Sequence, residues 1–240
     1  MKLITLGCSL TQVCGIPEYL GKAINLEVID LSESAGSNML QIKRLHDSIA
    51  QNKVCKDDIA VWQITSDERA YESLPETRLN EVTLLDKSKL ISLKSRNGDL
   101  FQPYHHVLSS KNIFNSKRRI DLLCNSKLLN KTHSVEDDLQ MLISTLVLAK
   151  NFFRKLFVYF GWDDVMNHKY KTIFLNCIDY HDINFIKQSF LDWAIENKKE
   201  MGDDEAHPSC KTGKEFAETF IQPLVLAEIL PLVDEINTST

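Results

Sequence analysis

Four short stretches of this chain carry side chains able to attack a carbonyl or move a proton. The first is Gly7-Cys8-Ser9-Leu10-Thr11, directly after an apolar run at residues 2–6. A serine on a strand-to-helix turn has its hydroxyl exposed and a helix amino end behind it, which suits a nucleophile; the same hydroxyl also serves as an ordinary turn or N-cap oxygen. The second is Asp203-Asp204-Glu205-Ala206-His207-Pro208-Ser209. Asp204 and His207 stand three apart, so a single turn sets a carboxylate against one imidazole nitrogen and aims the other outward, giving a base with its orienter. The other two are the polar clusters Ser34-Ala35-Gly36-Ser37-Asn38 and Thr65-Ser66-Asp67-Glu68-Arg69.

These stretches matter together only if the fold gathers them, and the hydropathy pattern supplies a way. Residues 2–6, 26–31 and 58–64 read as buried strands, and residues 12–24 and the segment beginning at Met39 read as amphipathic helices. Strand, helix, strand, helix, strand at short spacing is the signature of βαβ units and a parallel sheet. In such a sheet, sites form outside the carboxyl ends of the strands, where the loops at 7–11, 34–38 and 65–69 would open. From Ala70 to Ser134 the pattern weakens, and an irregular, helical insertion at about 70–134 is expected. Beyond it the pattern predicts a helix over 135–155, a strand at 156–160, a fifth strand at 170–175 and a final helix over 211–229. The whole chain, 1–240, reads as one domain carrying that insertion.

Charge and cysteine usage narrow the partners. A formal net charge of −5 argues against general affinity for nucleic acid or acidic membranes, and favours a small or neutral substrate. The six cysteines form no CxxC pair and no short metal-ligand spacing, so free thiols in a reducing compartment are expected, with no metal and no cofactor. Asp179-Tyr180-His181-Asp182 and Lys117-Arg118-Arg119 read as polar surface, and His105-His106 as part of the insertion. The apolar run at 3–6 is too short for a signal peptide and no stretch approaches a membrane span, which places the expected location in the cytoplasm.

The same residues resemble the blocks of the SGNH/GDSL hydrolase family, whose members carry a serine in an N-terminal G-[DNC]-S-[LIF]-[ST]-like block, a glycine in a second block, often an asparagine in a third, and a terminal D-x-x-H. Here Gly7-Cys8-Ser9-Leu10-Thr11, Gly36 and Asp204-Glu205-Ala206-His207 stand in that order across nearly the whole chain. The resemblance implies a flavodoxin-like three-layer α/β/α fold with a parallel central sheet, with Ser9 as nucleophile, His207 as general base and Asp204 as its orienter. It implies the backbone N–H groups of Ser9 and Gly36 as oxyanion donors. The third block departs from the family pattern, because Ile64-Thr65-Ser66-Asp67-Glu68-Arg69 places Ser66 about where the asparagine amide is expected. Trp62, Thr65, Ser66 and Arg69 are similar to the W-T-S-x-x-R-like stretch of a variant branch. On this resemblance Ser66 joins the oxyanion hole, Asn38, Thr65 and Arg69 lie on the substrate side, and Asn38 stiffens the oxyanion loop. The activity implied is a serine esterase that removes a small acyl group, acetyl first, from a carbohydrate. The alternatives are a sugar O-acyltransferase using the same triad and a non-catalytic carbohydrate-binding module on the same fold.

Overall fold

The computed structural model describes residues 1–33, 37–65, 69–73, 105–109, 135–203 and 207–238. Its centre is a five-stranded, wholly parallel sheet made of β1 (Leu3–Leu6), β2 (Val28–Asp30), β3 (Ile59–Ile64), β6 (Lys155–Phe160) and β7 (Asn184–Ile186), in the spatial order β2-β1-β3-β6-β7. That is a flavodoxin-like order, and the chain reverses its direction of travel across the sheet between β1 and β3. β1 and β3 are buried at every position, which is why they read as continuous apolar runs: a strand of a parallel sheet is covered on both faces.

Side chains alternate between two cores. Ile4, Leu6, Ala60, Trp62, Leu156 and Val158 face one helical layer, built from α3 (Asn38–Ala50), α4 (Val135–Phe152) and α5 (His168–Tyr180). Leu3, Ile59, Val61, Phe157 and Tyr159 face the other, built from α2 (Ile16–Ile24), α6 (Phe190–Glu196), α7 (Cys210–Phe216) and α8 (Gln222–Thr238). The result is three layers, α/β/α, as expected. Between α7 and α8 the helix widens over Ala217–Ile221, where the Gln222 N–H reaches back five residues to the Ala217 carbonyl. Pro223 follows at once; it lacks a donor and its ring would strike the carbonyl four residues back, so the wider turn spares the helix a sharper break. Among the described residues no helix is long and apolar enough to cross a membrane.

Four local expectations change. Residues 170–175 are not a strand but part of α5, because Asn167 caps its start through the Tyr170 N–H and only Phe174 and Ile178, four apart, are deeply buried. The fifth strand is β7 instead. The helix expected over 12–24 is two helices, α1 (Ser9–Gln12) and α2, separated at Gly15, whose φ of 69° is the left-handed conformation that glycine adopts without cost. Within the segment expected to be irregular and helical, β4 (Arg69–Ser73) and β5 (His105–Ser109) form an antiparallel ribbon with Glu72 opposite His106. β4 lies against α3. Lys117-Arg118-Arg119 lies outside the described residues.

Candidate active site

The loop after β1 starts the site. β1 ends at Leu6, Cys8 takes an extended conformation, and Ser9 is the first residue of α1. The Cys8 carbonyl accepts from the Thr11 and Gln12 N–H groups, at 3.0 and 3.1 Å, and this closes the turn. Cys8 itself is fully buried, a small apolar plug beneath the helix start. Ser9 thus sits above the carboxyl end of β1, at the reversal point of the sheet.

A second segment brings the base. Residues 200–202 pair with residues 207–209: Gly202 N–H donates to the His207 carbonyl at 2.7 Å, Met201 and Pro208 form a bridge, and Ser209 N–H donates to the Glu200 carbonyl at 3.0 Å. Ser209 then caps α7 through the Thr212 N–H. This segment is held onto the corner between α1 and α2 by reciprocal thiol bonds. Cys14 Sγ donates to the Pro208 carbonyl at 3.0 Å, and Cys210 Sγ donates to the Val13 carbonyl at 3.3 Å. Gly213 of α7 lies so close to Cys14 that an added Cβ would stand 2.1 Å from the Cys14 carbonyl oxygen. Two segments separated by almost the whole chain are therefore pressed together without a side chain between them.

The outcome is a contact of 2.7 Å between His207 Nε2 and Ser9 Oγ, 198 residues apart in the chain. That distance lies within the 2.6–3.2 Å over which a positioned base takes a proton. For Nε2 to accept from the hydroxyl, the ring proton must sit on Nδ1. Ser9 is nearly buried and His207 half-buried, so the pair is shielded but reachable.

The loop after β2 is pinned on both flanks. Glu33 N–H donates to the Gly7 carbonyl at 3.1 Å, tying this loop to the turn before Ser9. Arg44 of α3 donates to the Leu31 and Ser32 carbonyls and pairs with the Glu33 carboxylate, while Asp30 accepts from Thr5 and Ser32. On the far side Ser37 is the N-cap of α3 and accepts the Leu40 N–H. Asn38 bridges to the end of β3: its Nδ2 donates to the Thr65 carbonyl at 2.9 Å and its Oδ1 accepts the Thr65 N–H at 3.0 Å. Both ends of the Asn38 amide are thereby engaged by backbone, and Thr65 is fully buried. The structure joins these two residues to each other and so ties the start of α3 to the end of β3.

Of the residues named from the sequence, Ser9 and His207 meet, Asn38 and Thr65 meet, and Arg69 opens β4. Gly36, Ser66 and Asp204 lie outside the described residues. His181 ends α5, where its carbonyl accepts from Lys150 just before β7 begins, so it stands at the amino edge of the sheet, away from Ser9. Sequence reasoning missed Gln63 and Tyr159, which lie beneath the Ser9 turn. Gln63 Oε1 accepts from Cys8 N–H at 3.0 Å and from the Thr11 hydroxyl at 2.7 Å, and Thr11 Oγ1 stands 3.3 Å from the Tyr159 hydroxyl. A glutamine at the end of an otherwise apolar strand was the one signal available.

No family model and no curated relative matches the sequence. Solved structures do resemble the fold. LAE5, an alpha/beta hydrolase enzyme from the metagenome of Lake Arreo in Spain, is 12% identical with a TM-score of 0.47, over 95% of this chain and 94% of its own. A protein of Slackia heliotrinireducens assigned as an SGNH hydrolase is 13% identical, TM-score 0.43, over 91% and 98%. The psychrotrophic esterase EstA from Pseudoalteromonas, in a structure inhibited by monoethylphosphonate, is 12% identical, TM-score 0.42, over 99% and 98%.

Burial beneath the site has a consequence for pH. Desolvation pushes the Tyr159 phenol well above its ordinary range of about 10, because the phenolate has no water to stabilise it. The folded chain therefore holds this proton more tightly than the unfolded chain does. Its contribution is fully present below about pH 10 and is lost as pH climbs above that value. Urea midpoints measured from pH 8 to 11 should fall more steeply for the wild type than for Tyr159→Phe, narrowing the gap between them at the alkaline end. Parallel curves would show that Tyr159 does not titrate with unfolding.

Proposed function

We propose that this chain is a serine esterase that works through an acyl-enzyme on Ser9. The observation that carries the reading is the 2.7 Å approach of His207 Nε2 to Ser9 Oγ at the carboxyl end of a parallel sheet. In the first step Ser9 Oγ bonds to the ester carbonyl carbon while its proton passes to Nε2. The C–O bond to the alcohol then breaks, and the imidazolium returns the proton to the leaving oxygen. In the second step His207 takes a proton from water, the resulting hydroxide attacks the acyl carbon, and the acid leaves as Ser9 regains its hydrogen. Asp204 is proposed to hold the imidazole at Nδ1. The backbone N–H groups of Ser9 and Gly36, with Ser66, are proposed as donors to the developing oxyanion, each worth about 3–4 kcal/mol in acyl-transfer sites.

The proposed substrate is a small acyl ester, acetyl first, on a carbohydrate, with Arg69 on the substrate side. Asn38 and Thr65 are assigned the support of that side through their mutual bonds. The buried free thiols Cys8 and Cys14 suit a reducing compartment, so the cytoplasm is the proposed location.

A fluorophosphonate probe tests the core of this reading. Wild-type protein should gain one probe mass on Ser9, and the His207→Ala variant should label at least about a hundredfold more slowly. A folded wild type that stays unlabelled, or labels equally without His207, removes the esterase. With an aryl acetate as donor, added sugars should leave acetate release unchanged; acetylated sugar appearing in its place would make the chain a transferase.

A further inference from the structure

Beneath the turn that carries Ser9, one strand amide bonds both a backbone N–H and a side-chain hydroxyl of that turn. Gln63 is fully buried and faces the same core as Val61 and Tyr159, its register partner on β6. Two glycines at the ends of the neighbouring strands make room for it. A Cβ on Gly7 would stand 2.7 Å from Gln63 Oε1, and one on Gly161 would stand 2.2 Å from Nε2. The amide's orientation is fixed by chemistry: with its ends exchanged, an NH2 group would face the Cys8 N–H, donor against donor. The Thr11 hydroxyl gives its hydrogen to the same oxygen, so Tyr159 donates to Thr11. Tyr159 and Thr11 thus form a donor chain ending on Gln63 Oε1, which the Cys8 N–H meets from the other side.

These bonds flank Ser9 at positions 8 and 11. α1 has only four residues and no side-chain cap of its own, and a single helical turn has little stability without outside contacts. In the usual capping box, the third helical residue returns a side chain to the cap N–H. Here that residue is Thr11, whose hydroxyl is committed elsewhere, and Gln63 accepts the Cys8 N–H from another strand. We propose that Gln63 is a positioning residue for the nucleophile: through Cys8 and Thr11 it sets the tilt of the turn, and with it the distance between Ser9 and His207. It rests on the reading of Ser9 as the nucleophile, and it assigns Gln63 no contact with substrate.

Gln63→Met keeps the volume and removes the acceptor, whereas Thr11→Val removes only the hydroxyl. For an aryl acetate, Gln63→Met should lower kcat by about tenfold to a hundredfold, the scale of a displaced reacting group, with KM within about twofold of wild type. Probe labelling of Ser9 should slow in step with kcat. Thr11→Val should lower kcat by a smaller factor, again without moving KM, and the double variant should be no slower than Gln63→Met alone, because both remove the same anchor. Gln63→Met that folds and labels at the wild-type rate overturns the proposal, as does a rise in KM at unchanged kcat, or strict additivity in the double variant. If Gln63→Met does not fold, Thr11→Val decides alone, and a wild-type kcat in that variant overturns the proposal. A wild type that never labels removes the esterase reading itself, which keeps the two failures apart.

Discussion

Replacing Ser9 with alanine should lower kcat/KM for an aryl acetate by at least about 10⁴-fold while leaving the melting temperature almost unchanged. The two halves of that expectation come from different facts. The hydroxyl is the group that faces His207 Nε2 at 2.7 Å, and no methyl can form the acyl bond. Ser9 nevertheless contributes little to the fold. It stands one residue inside α1, so it is not the cap, and the turn is closed by backbone of Cys8 and held by Gln63. Loss of one oxygen there should cost within about 1 kcal/mol. Activity and stability measured on the same sample separate the roles: a joint fall marks Ser9 as structural, and activity within tenfold of wild type removes it as nucleophile.

Gly213→Ala should do the opposite and damage both. On helix propensity alone, alanine inside α7 gains about 0.5–1 kcal/mol. The structure reverses the sign, because the new Cβ would lie 2.1 Å from the Cys14 carbonyl oxygen and 2.9 Å from the Cys14 Cβ. A backbone carbonyl cannot rotate aside as a side chain does, so α7 must retreat from the α1–α2 corner. That strains the Cys14 and Cys210 thiol bonds, and Pro208, which accepts one of them, directly follows His207. Overpacking of this kind costs about 1–3 kcal/mol, which for a chain of this size lowers the melting temperature by roughly 2–4 °C per kcal/mol. Labelling of Ser9 should slow by about a hundredfold as the imidazole withdraws. Gly21→Ala is the control: its Cβ would meet the Val28 Cγ2 methyl at 2.5 Å, a side-chain atom able to turn, and labelling should stay near wild type. A Gly213→Ala protein that melts and labels like wild type would show that this seam does not hold the histidine.

What could be read from the sequence depended on whether burial writes a local pattern. β1, β3 and β6 were legible because covering a strand on both faces leaves an unbroken apolar run, and the short intervals from β1 through β2 to β3 implied parallel crossovers. Residues 170–175 misled because Ile173-Phe174-Leu175 is also such a run, although Ile173 is 40% exposed and the helix buries one face only. β7, three residues long, is too short to leave any periodicity. Ser9 and His207 were legible through side-chain type and setting. Gln63 and Arg44 were not, and Asn38 was named without its bonds to Thr65, since these tasks exist only once strand register brings Cys8, the carbonyls after β2 and Thr65 beside them.

The reach of the Ser9–His207 contact has a bearing on synthesis. Closing a loop of 198 residues is entropically among the later events for a chain of this length, and here the closure rests on α7 seating against a corner built near the amino end. On the proposed reading of Ser9 as nucleophile, a nascent polypeptide halted before that helix emerges would carry an inert hydroxyl and spare every ester around it. Covalent capture of the serine in newly made chains would then mark the moment at which α7 seats.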